Sequence, residues 1–403
     1  MYSERIAQLR VEAIEKSLRI KIKRTPVSKV DELRAHLEGL LDENGALTRT
    51  LLQEEQDFIR NERLLVKCSF RYWADRYATL QKDGSVGGGV GRVKFWSSQE
   101  LALQKIAEIE ETQWDALRRG ESVDGICVVM HKARQLGATA LSRILMCHRN
   151  TNYSHIRTMA ASIDDDKVME LYDRDKLCID NLPFYLKPTI GYDVKGQHIY
   201  FEKLASRILY QESSQKSGLG QGRQFDLAHL TECAFWQIPN MIELDFFPTL
   251  PLGPNTFCVL ESTANGIGGW WYDFTEDVRK GLQRRWRYIF APWYIESRKN
   301  RSHPPANWNP TDLTMKHARR VYETSREYTG RDVLLERDQL YWYETERAAA
   351  QRRGKLNIFL TNFCATPEES FQHTGNAQFS VEVLERIRLG CINPNFYEVA
   401  VKQ

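Results

Sequence analysis

Between residues 94 and 295 the chain alternates short β-rich runs with helical or loop segments: "GICVVMHK", "HIRTMAAS", "HIYFE", "RILYQES", "LAHLTE", "TFCVLEST" and "WRYIFAP". Strands separated by connections of this length return to the same edge of a sheet, so the pattern specifies an α/β domain built on a largely parallel sheet. One pair breaks the rhythm. "HIYFE" and "RILYQES" stand only a few residues apart, and they read equally as an antiparallel hairpin, because a parallel crossover needs a dozen residues or more.

The flanks differ from this core. Residues 1 to about 80 carry helical spacing with dense charge, as in "VDELRAHLEGLLDENGALTRTLLQEEQDFIRNERLL", and end at the glycine cluster "DGSVGGGVGRV" (83–93), a flexible boundary or a hairpin tip. After about 310 the chain turns helical again. We therefore expect a helical region over 1–90, a core over 91–310 and a helical linker over 311–403. With 403 residues, two or three structural units are the expectation.

Lys and Arg number 56 against 53 Asp and Glu, so the net charge of +3 does not mark a general polyanion binder, and any such contact must be local. Eight cysteines without a CxxC pair, several inside apolar runs, read as reduced core residues of a cytosolic protein. The amino terminus has no apolar signal core and no run approaches a membrane span, so a soluble, unexported protein with no membrane partner is expected.

"GICVVMHKARQLGATALSRILM" (125–146) reads as a buried strand, a turn and an amphipathic helix. A strand feeding a turn and a helix amino terminus presents backbone N–H groups and a positive dipole end, which suits a phosphate. The backbone of Ala133, Gln135, Gly137, Ala138 and Ala140 lines such a turn. Gly137 permits close approach, and the Thr139 hydroxyl is placed to reach a bound Mg²⁺. Ala138 stands where the familiar GK[ST] signature has its lysine; Lys132, on a flexible stem at the start of the turn, is the substitute.

Two later strand ends complete a site. "FDLAHLTECAFW" (225–236) runs apolar into Thr231 and Glu232. In phosphate-turn ATPases a strand ends in two acids, one holding Mg²⁺ through water and one activating the attacking water. Glu232 fits the base. Thr231, in the first acid's place, is able to hold a metal-bound water by hydrogen bonding but adds no charge. "ESTANGIGGWW" (261–271) closes another apolar strand, and its Ser262, Thr263 and Asn265 are candidates to sense the γ-phosphate, since polar residues at strand carboxyl ends face the ligand crevice of an open sheet.

In order and spacing, "KARQLGATAL", "FDLAHLTECAFW" and "ESTANGIGGWWYDF" resemble the ATPase motor of the large terminase subunit of tailed bacteriophages. The resemblance spans roughly 94–380. It implies a RecA-like P-loop NTPase of the ASCE class with a mainly parallel central sheet. ATP and Mg²⁺ are the implied cofactors, and double-stranded viral DNA, a portal protein, a small terminase subunit and a homo-oligomeric ring the implied partners. The implied location is the host cytoplasm, at the procapsid portal vertex and not in the mature virion. "KFWSSQELALQKI" (94–106) is similar to the family's adenine-contacting segment, which assigns Gln99 to the base and Phe95 or Trp96 to stacking. "TPEESFQHTGNAQF" (366–379) is similar to the stretch that joins motor to nuclease.

Cleavage of the γ-phosphate builds charge that a guanidinium stabilises. Arg134, inside the turn, is the candidate in cis; Arg223, in "SGLGQGRQF", is the candidate offered to a neighbouring subunit. "RKGLQRRWR" and "RSHPPANWNP" are basic with aromatic neighbours, yet a solvated helix end explains them as well, and no DNA-contacting residue is assigned. No aspartate follows Asp338, so the carboxylate cluster of a nuclease domain is not expected in this chain. Two rival readings remain: a helicase-like remodelling ATPase on the same fold, and a catalytically degenerate nucleotide-binding assembly module.

Overall fold

The computed structural model describes residues 2–81, 88–213, 218–220, 222–296 and 299–371. The chain opens with helices α1 (Glu4–Leu18), α2 (Val27–Glu38), α3 (Gln53–Cys68) and α4 (Phe70–Tyr77). Ser3 and Ser69 start α1 and α4, their hydroxyls accepting the N–H groups of Ile6 and Tyr72. Each satisfies a donor that the first helical turn leaves unpaired. Strands β1 (Thr79–Gln81) and β2 (Val90–Arg92) then pair antiparallel. The glycine cluster joins these two arms, and its residues 83–87 lie outside the described residues.

Helix α5 (Ser97–Arg118) leads into the core. There follow β3 (Ile126–Lys132), α6 (Ala138–Asn152), β4 (Arg157–Ser162), α7 (Asp165–Asp180), β5 (Ile190–Val194), β6 (His198–Phe201) and β7 (Ser206–Glu212). Next come β8 (Leu227–Thr231), β9 (Phe257–Ser262), α8 (Trp270–Arg279) and β10 (Trp286–Ala291). The sheet runs β10-β3-β9-β8-β4-β7-β6-β5. From β10 through β7 all neighbours are parallel, as the alternating pattern requires. β6 and β5 extend the sheet antiparallel, so "HIYFE" and "RILYQES" do form the hairpin.

Two features of this order position a site. β9 lies between β3 and β8, so the strand feeding the turn and the strand ending in Glu232 are next-nearest neighbours. The chain also leaves β3 toward β4 on one side and returns from β9 to β10 on the other, opening a crevice at the carboxyl ends of the strands beside β3.

Alternation along each strand divides the core. Val128, Met130, Leu227, Phe257 and Val259 face α6, joining Leu141, Ile144 and Leu145 in one apolar cluster that also contains Phe70, Trp73 and Tyr77 of the amino-terminal helices. Cys127, Val129, Ala228, Leu230, Cys258 and Leu260 face the opposite way, against Trp270, Trp271 and Phe274 of α8. The amino-terminal helices thus share a core with the sheet. The buried His148 of α6 reinforces this, its Nε2 lying 2.7 Å from the Val66 carbonyl and its ring against Phe70 and Trp73. Deeper still, Arg143 of α6 pairs with Asp175 of α7, and the Tyr210 hydroxyl donates to the same carboxylate at 2.5 Å.

Helices α9 (Asp312–Thr329), α10 (Arg337–Arg352), α11 (Leu356–Asn362) and α12 (Pro367–Ser370) complete the described chain. Val321, Tyr343 and Phe359 cluster with Trp293 and with Ala133 and Leu136 of the turn after β3, supporting that turn from outside. Seven cysteines are buried and free of disulfides, and Cys391 lies outside the described residues. Among the described residues no helix is long and apolar enough to cross a membrane.

Candidate active site

The turn after β3 is clamped by backbone. Ala133 N–H donates to the Ala291 carbonyl and Arg134 N–H to the Asn362 carbonyl, both at 2.8 Å. Gln135 takes the left-handed conformation at φ 60°, and Gly137, at φ 73°, is the residue from which α6 starts. A side chain at 137 would be strained by that φ, and its Cβ would lie 2.7 Å from Gln99 Nε2. Ala138, Thr139 and Ala140 form the first turn of α6 and point its amino terminus at the crevice.

Gln99 is buried and committed to backbone, accepting from Trp96 N–H and donating to the Gly137 carbonyl, both at 2.9 Å. These two bonds tie the segment before α5 to the turn. Of the two aromatic candidates, Trp96 is the one beside the turn. The Lys299 ammonium sits 4.1 Å from its ring centre and 3.4 Å from the Gln135 carbonyl. Phe95 packs instead on Phe70 and under the Arg71 guanidinium, in the amino-terminal core.

β8 delivers Thr231, buried, and then Glu232 at φ 56°, ψ 35°. A non-glycine residue held there costs on the order of 1–3 kcal/mol, and such strain concentrates at functional sites. Surrounding bonds impose it. Ser262 Oγ accepts from Ala234 N–H at 3.2 Å, Asn265 Nδ2 donates to the Ala234 carbonyl at 3.0 Å, and Trp236 Nε1 donates to the Thr231 carbonyl at 3.0 Å. Ser262 and Asn265 therefore grip the turn that carries Glu232, while Thr263 is buried just past the end of β9.

Lys132 and Glu232 converge. The ammonium lies 3.9 Å from Glu232 Oε1, the lysine side chain 9% exposed and the glutamate 30%. A second carboxylate, which the sequence reading passed over, stands nearer: Glu261 Oε2 is 3.6 Å from the same nitrogen, its side chain fully buried. Glu261 is opposite Thr231 on one side and Met130 on the other. By alternation Lys132, Glu261, Thr231 and His229 all project toward α6. His229 Nε2 lies 3.0 Å from Glu261 Oε1.

One cation between two acids gives them opposite character. Burial pushes the Glu232 carboxyl up; Lys132 opposes this, Glu261 adds to it, and the balance stays above the usual range. Burial pushes Glu261 up as well, but Lys132 and the His229 hydrogen bond, with Thr139 adjoining, outweigh it and hold this carboxyl at about 2. Burial lowers His229 in spite of its acidic partner. A neutral His229 donating from Nε2 follows, with Nδ1 buried and unpartnered.

Arg134 is exposed at the crevice, near enough for its charge to favour the ionised form of Glu232, and so is Lys167 in the first turn of α7. Arg223 is elsewhere: exposed in the approach to the amino-terminal end of β8, at the far end of that strand from Glu232. Below the turn, the buried His131 places Nδ1 2.7 Å from the Tyr288 hydroxyl and Nε2 2.9 Å from Ser370 Oγ, and burial draws its pKa down to about 3. Of the segment 366–379, only the residues to Phe371 are described. The basic run 279–287 is engaged locally, Arg279 with Glu276 and Glu368 and Arg285 with the Leu250 and Pro251 carbonyls.

Among the described residues no group of three His, Cys, Asp or Glu could cage a metal. A Mg²⁺ bound with phosphates needs none, because it keeps several waters and takes one or two protein oxygens. The Thr139 hydroxyl and the adjoining buried Glu261 carboxylate, whose Oε2 makes no close hydrogen bond, suit such a hydrated ion.

No family profile matches the chain, and no curated protein matches it. Among solved structures it is similar to the large terminase of bacteriophage HK97, with 10% identity, a TM-score of 0.48 and coverage of 73% of this chain and 53% of that one. It is also similar to the large terminase ATPase domain of Thermus phage P74-26, with 13% identity, a TM-score of 0.35 and coverage of 51% and 88%. A third is the large terminase of a thermophilic bacteriophage in complex with ATP-γ-S, with 10% identity, a TM-score of 0.36 and coverage of 57% and 50%. The chain thus spans about half the length of the HK97 protein. At these levels the functional reading rests on the geometry of the site itself.

Proposed function

We propose that this chain is an ATP-hydrolysing motor subunit of the large-terminase type, which drives double-stranded viral DNA into a procapsid. The observation that carries the ATPase part is the meeting of Lys132 and Glu232 at the mouth of the crevice, beside the amino terminus of α6. Two residues a hundred positions apart, one cationic and one acidic, reach one point beside a phosphate-shaped turn.

In this reading a triphosphate enters between them. The turn's N–H groups and the dipole of α6 receive the phosphates, and Lys132 swings from the carboxylates onto the β- and γ-phosphoryl oxygens. Freed of its cation, Glu232 accepts the proton of the attacking water. Arg134 stands on the open side, where charge grows on the γ-phosphoryl oxygens. Thr139 would hold a Mg²⁺ at the phosphates, which would supply positive charge against the charge developing there. Ser262 and Asn265, fixed to the Glu232 turn, transmit its displacement to the segment after β9. Arg223, remote from its own crevice, serves a neighbouring subunit of a ring.

The packaging role, with a portal and a small subunit as partners in the host cytoplasm, is supported by the order and spacing of the three motifs. Steady-state ATPase measured with and without DNA tests it. Turnover stimulated by duplex DNA and abolished by Lys132→Ala or Glu232→Gln is expected. Strand separation by the isolated protein would favour a remodelling ATPase, nucleotide binding without phosphate release a degenerate module, and absence of nucleotide binding would end the ATPase reading.

A further inference from the structure

Position 231 sets the problem. An acid there would hold a phosphate-bound cation through water, and the chain has a threonine. One residue across the sheet, on the neighbouring strand and the same face, lies Glu261. Its carboxylate is fully buried, 3.6 Å from the Lys132 ammonium, adjacent to the Thr139 hydroxyl, and braced on Oε1 by His229. Oε2 makes no close hydrogen bond and faces the Lys132 ammonium, with the Thr139 hydroxyl adjoining the carboxylate. Burying an ionised carboxylate is costly unless a cation faces it; Lys132 fills that role here, and a hydrated cation would fill it once the lysine is drawn to a nucleotide.

We infer that Glu261 supplies the carboxylate missing from position 231: its Oε2 accepts from a water of the nucleotide-bound Mg²⁺, while His229 fixes its orientation. The acid has been transferred from β8 to β9, and lysine and acid are transposed together. Lys132 approaches from the base of the turn rather than from position 138, and the adjoining strand β9 brings the carboxylate to meet it. Without nucleotide, Lys132 occupies the cation's place and keeps the buried charge compensated. As the triphosphate draws Lys132 away, Glu261 is left to the incoming metal. Nucleotide and metal are therefore bound in one exchange. His229 acts as a positioning residue.

This rests on the nucleotide reading above, and the test separates the two. ATPγS affinity is measured by calorimetry on the full chain, in EDTA and across a Mg²⁺ titration, with thermal melts alongside. The wild-type chain is expected to bind more tightly with Mg²⁺. Glu261→Gln should bind metal-free ATPγS more tightly than the wild type, because Lys132 then leaves no buried charge behind, while weakening the Mg²⁺ enhancement about tenfold or more. Thr231→Asp/Glu261→Gln should recover it by returning an acid to β8. Thr231→Asp alone, which leaves the buried pair intact, decides the matter if the Glu261 variants do not fold: no gain in Mg²⁺ affinity is expected, because the position is already served. A gain of about tenfold from Thr231→Asp, or an unchanged Mg²⁺ dependence in folded Glu261→Gln, would overturn the assignment. Failure of the wild-type chain to bind ATPγS at all would instead remove the ATPase reading beneath it.

Discussion

Glu232 and Glu261 end neighbouring parallel strands and face the same lysine, yet they are opposites. Glu232 stands past the end of β8 in a left-handed turn, partly exposed, its carboxyl raised by burial and reachable by water. Glu261 is the penultimate residue of β9, in register, fully buried and bonded to His229. The difference separates proton chemistry from charge holding. A general base works best with a pKa moved toward neutrality, while a group that anchors cations is best kept ionised throughout.

The largest effect that sharpens this contrast is in turnover. Glu232→Gln should lower ATPase kcat by at least about a hundredfold and shift stability by less than about 1 kcal/mol, because its ion pair is long and partly exposed. An active Glu232→Gln enzyme would break the comparison at its first term. Glu261→Gln inverts the balance. It leaves the lysine in a buried site with only the more distant acid, and a loss of about 3 kcal/mol in chemical denaturation is expected. If the two substitutions destabilise equally, burial is not what distinguishes the acids.

The pH responses should also part. Glu261 is held at about 2 against an ordinary value near ~4.3. Its folded-state pKa is depressed, so its stabilisation is complete above the ordinary value and is lost as pH falls toward 2. The gap in melting temperature between wild type and Glu261→Gln should close over that interval. Glu232 is raised, so the acid limb of kcat should lie above the ordinary glutamate range and disappear in the Glu232→Gln background. At His229→Ala one hydrogen bond to a charged acceptor is removed, and a loss of about 1.5–3 kcal/mol is expected. Its signature is a shift of the melting-gap window to higher pH.

Much of this was legible in the sequence for definite reasons. The strand, turn and helix at 125–146 announced themselves by context, and Lys132 and Glu232 by their places at strand ends. Glu261 was passed over although it was quoted: "TFCVLEST" was read from its serine onward, and the acid inside the apolar run was not weighed as a buried charge. His229, a polar residue in the middle of "LAHLTE", was the second signal. What periodicity could not supply was adjacency. That β9 lies between β3 and β8 is a non-local pairing, and Lys167 and Lys299 reach the site only through the folding of α7 and of the segment after β10. Gln99 adds a role that the sequence could not show: its amide bonds to backbone at Trp96 and Gly137, and Gly137 leaves room for it. The amino-terminal helices were read from their spacing, while their sharing of a core with α6 depended on residues such as Trp73 and His148 meeting across the fold.

One contact of His131 ties the crevice to α12. His131 is the immediate neighbour of Lys132 and touches Ser370, at the last described turn of the chain. A single peptide link thus separates Lys132, the cation proposed to grip phosphate, from the contact with α12. In the proposed reading, a nucleotide that displaces Lys132 acts one backbone step from α12, with no intervening loop to take up the change.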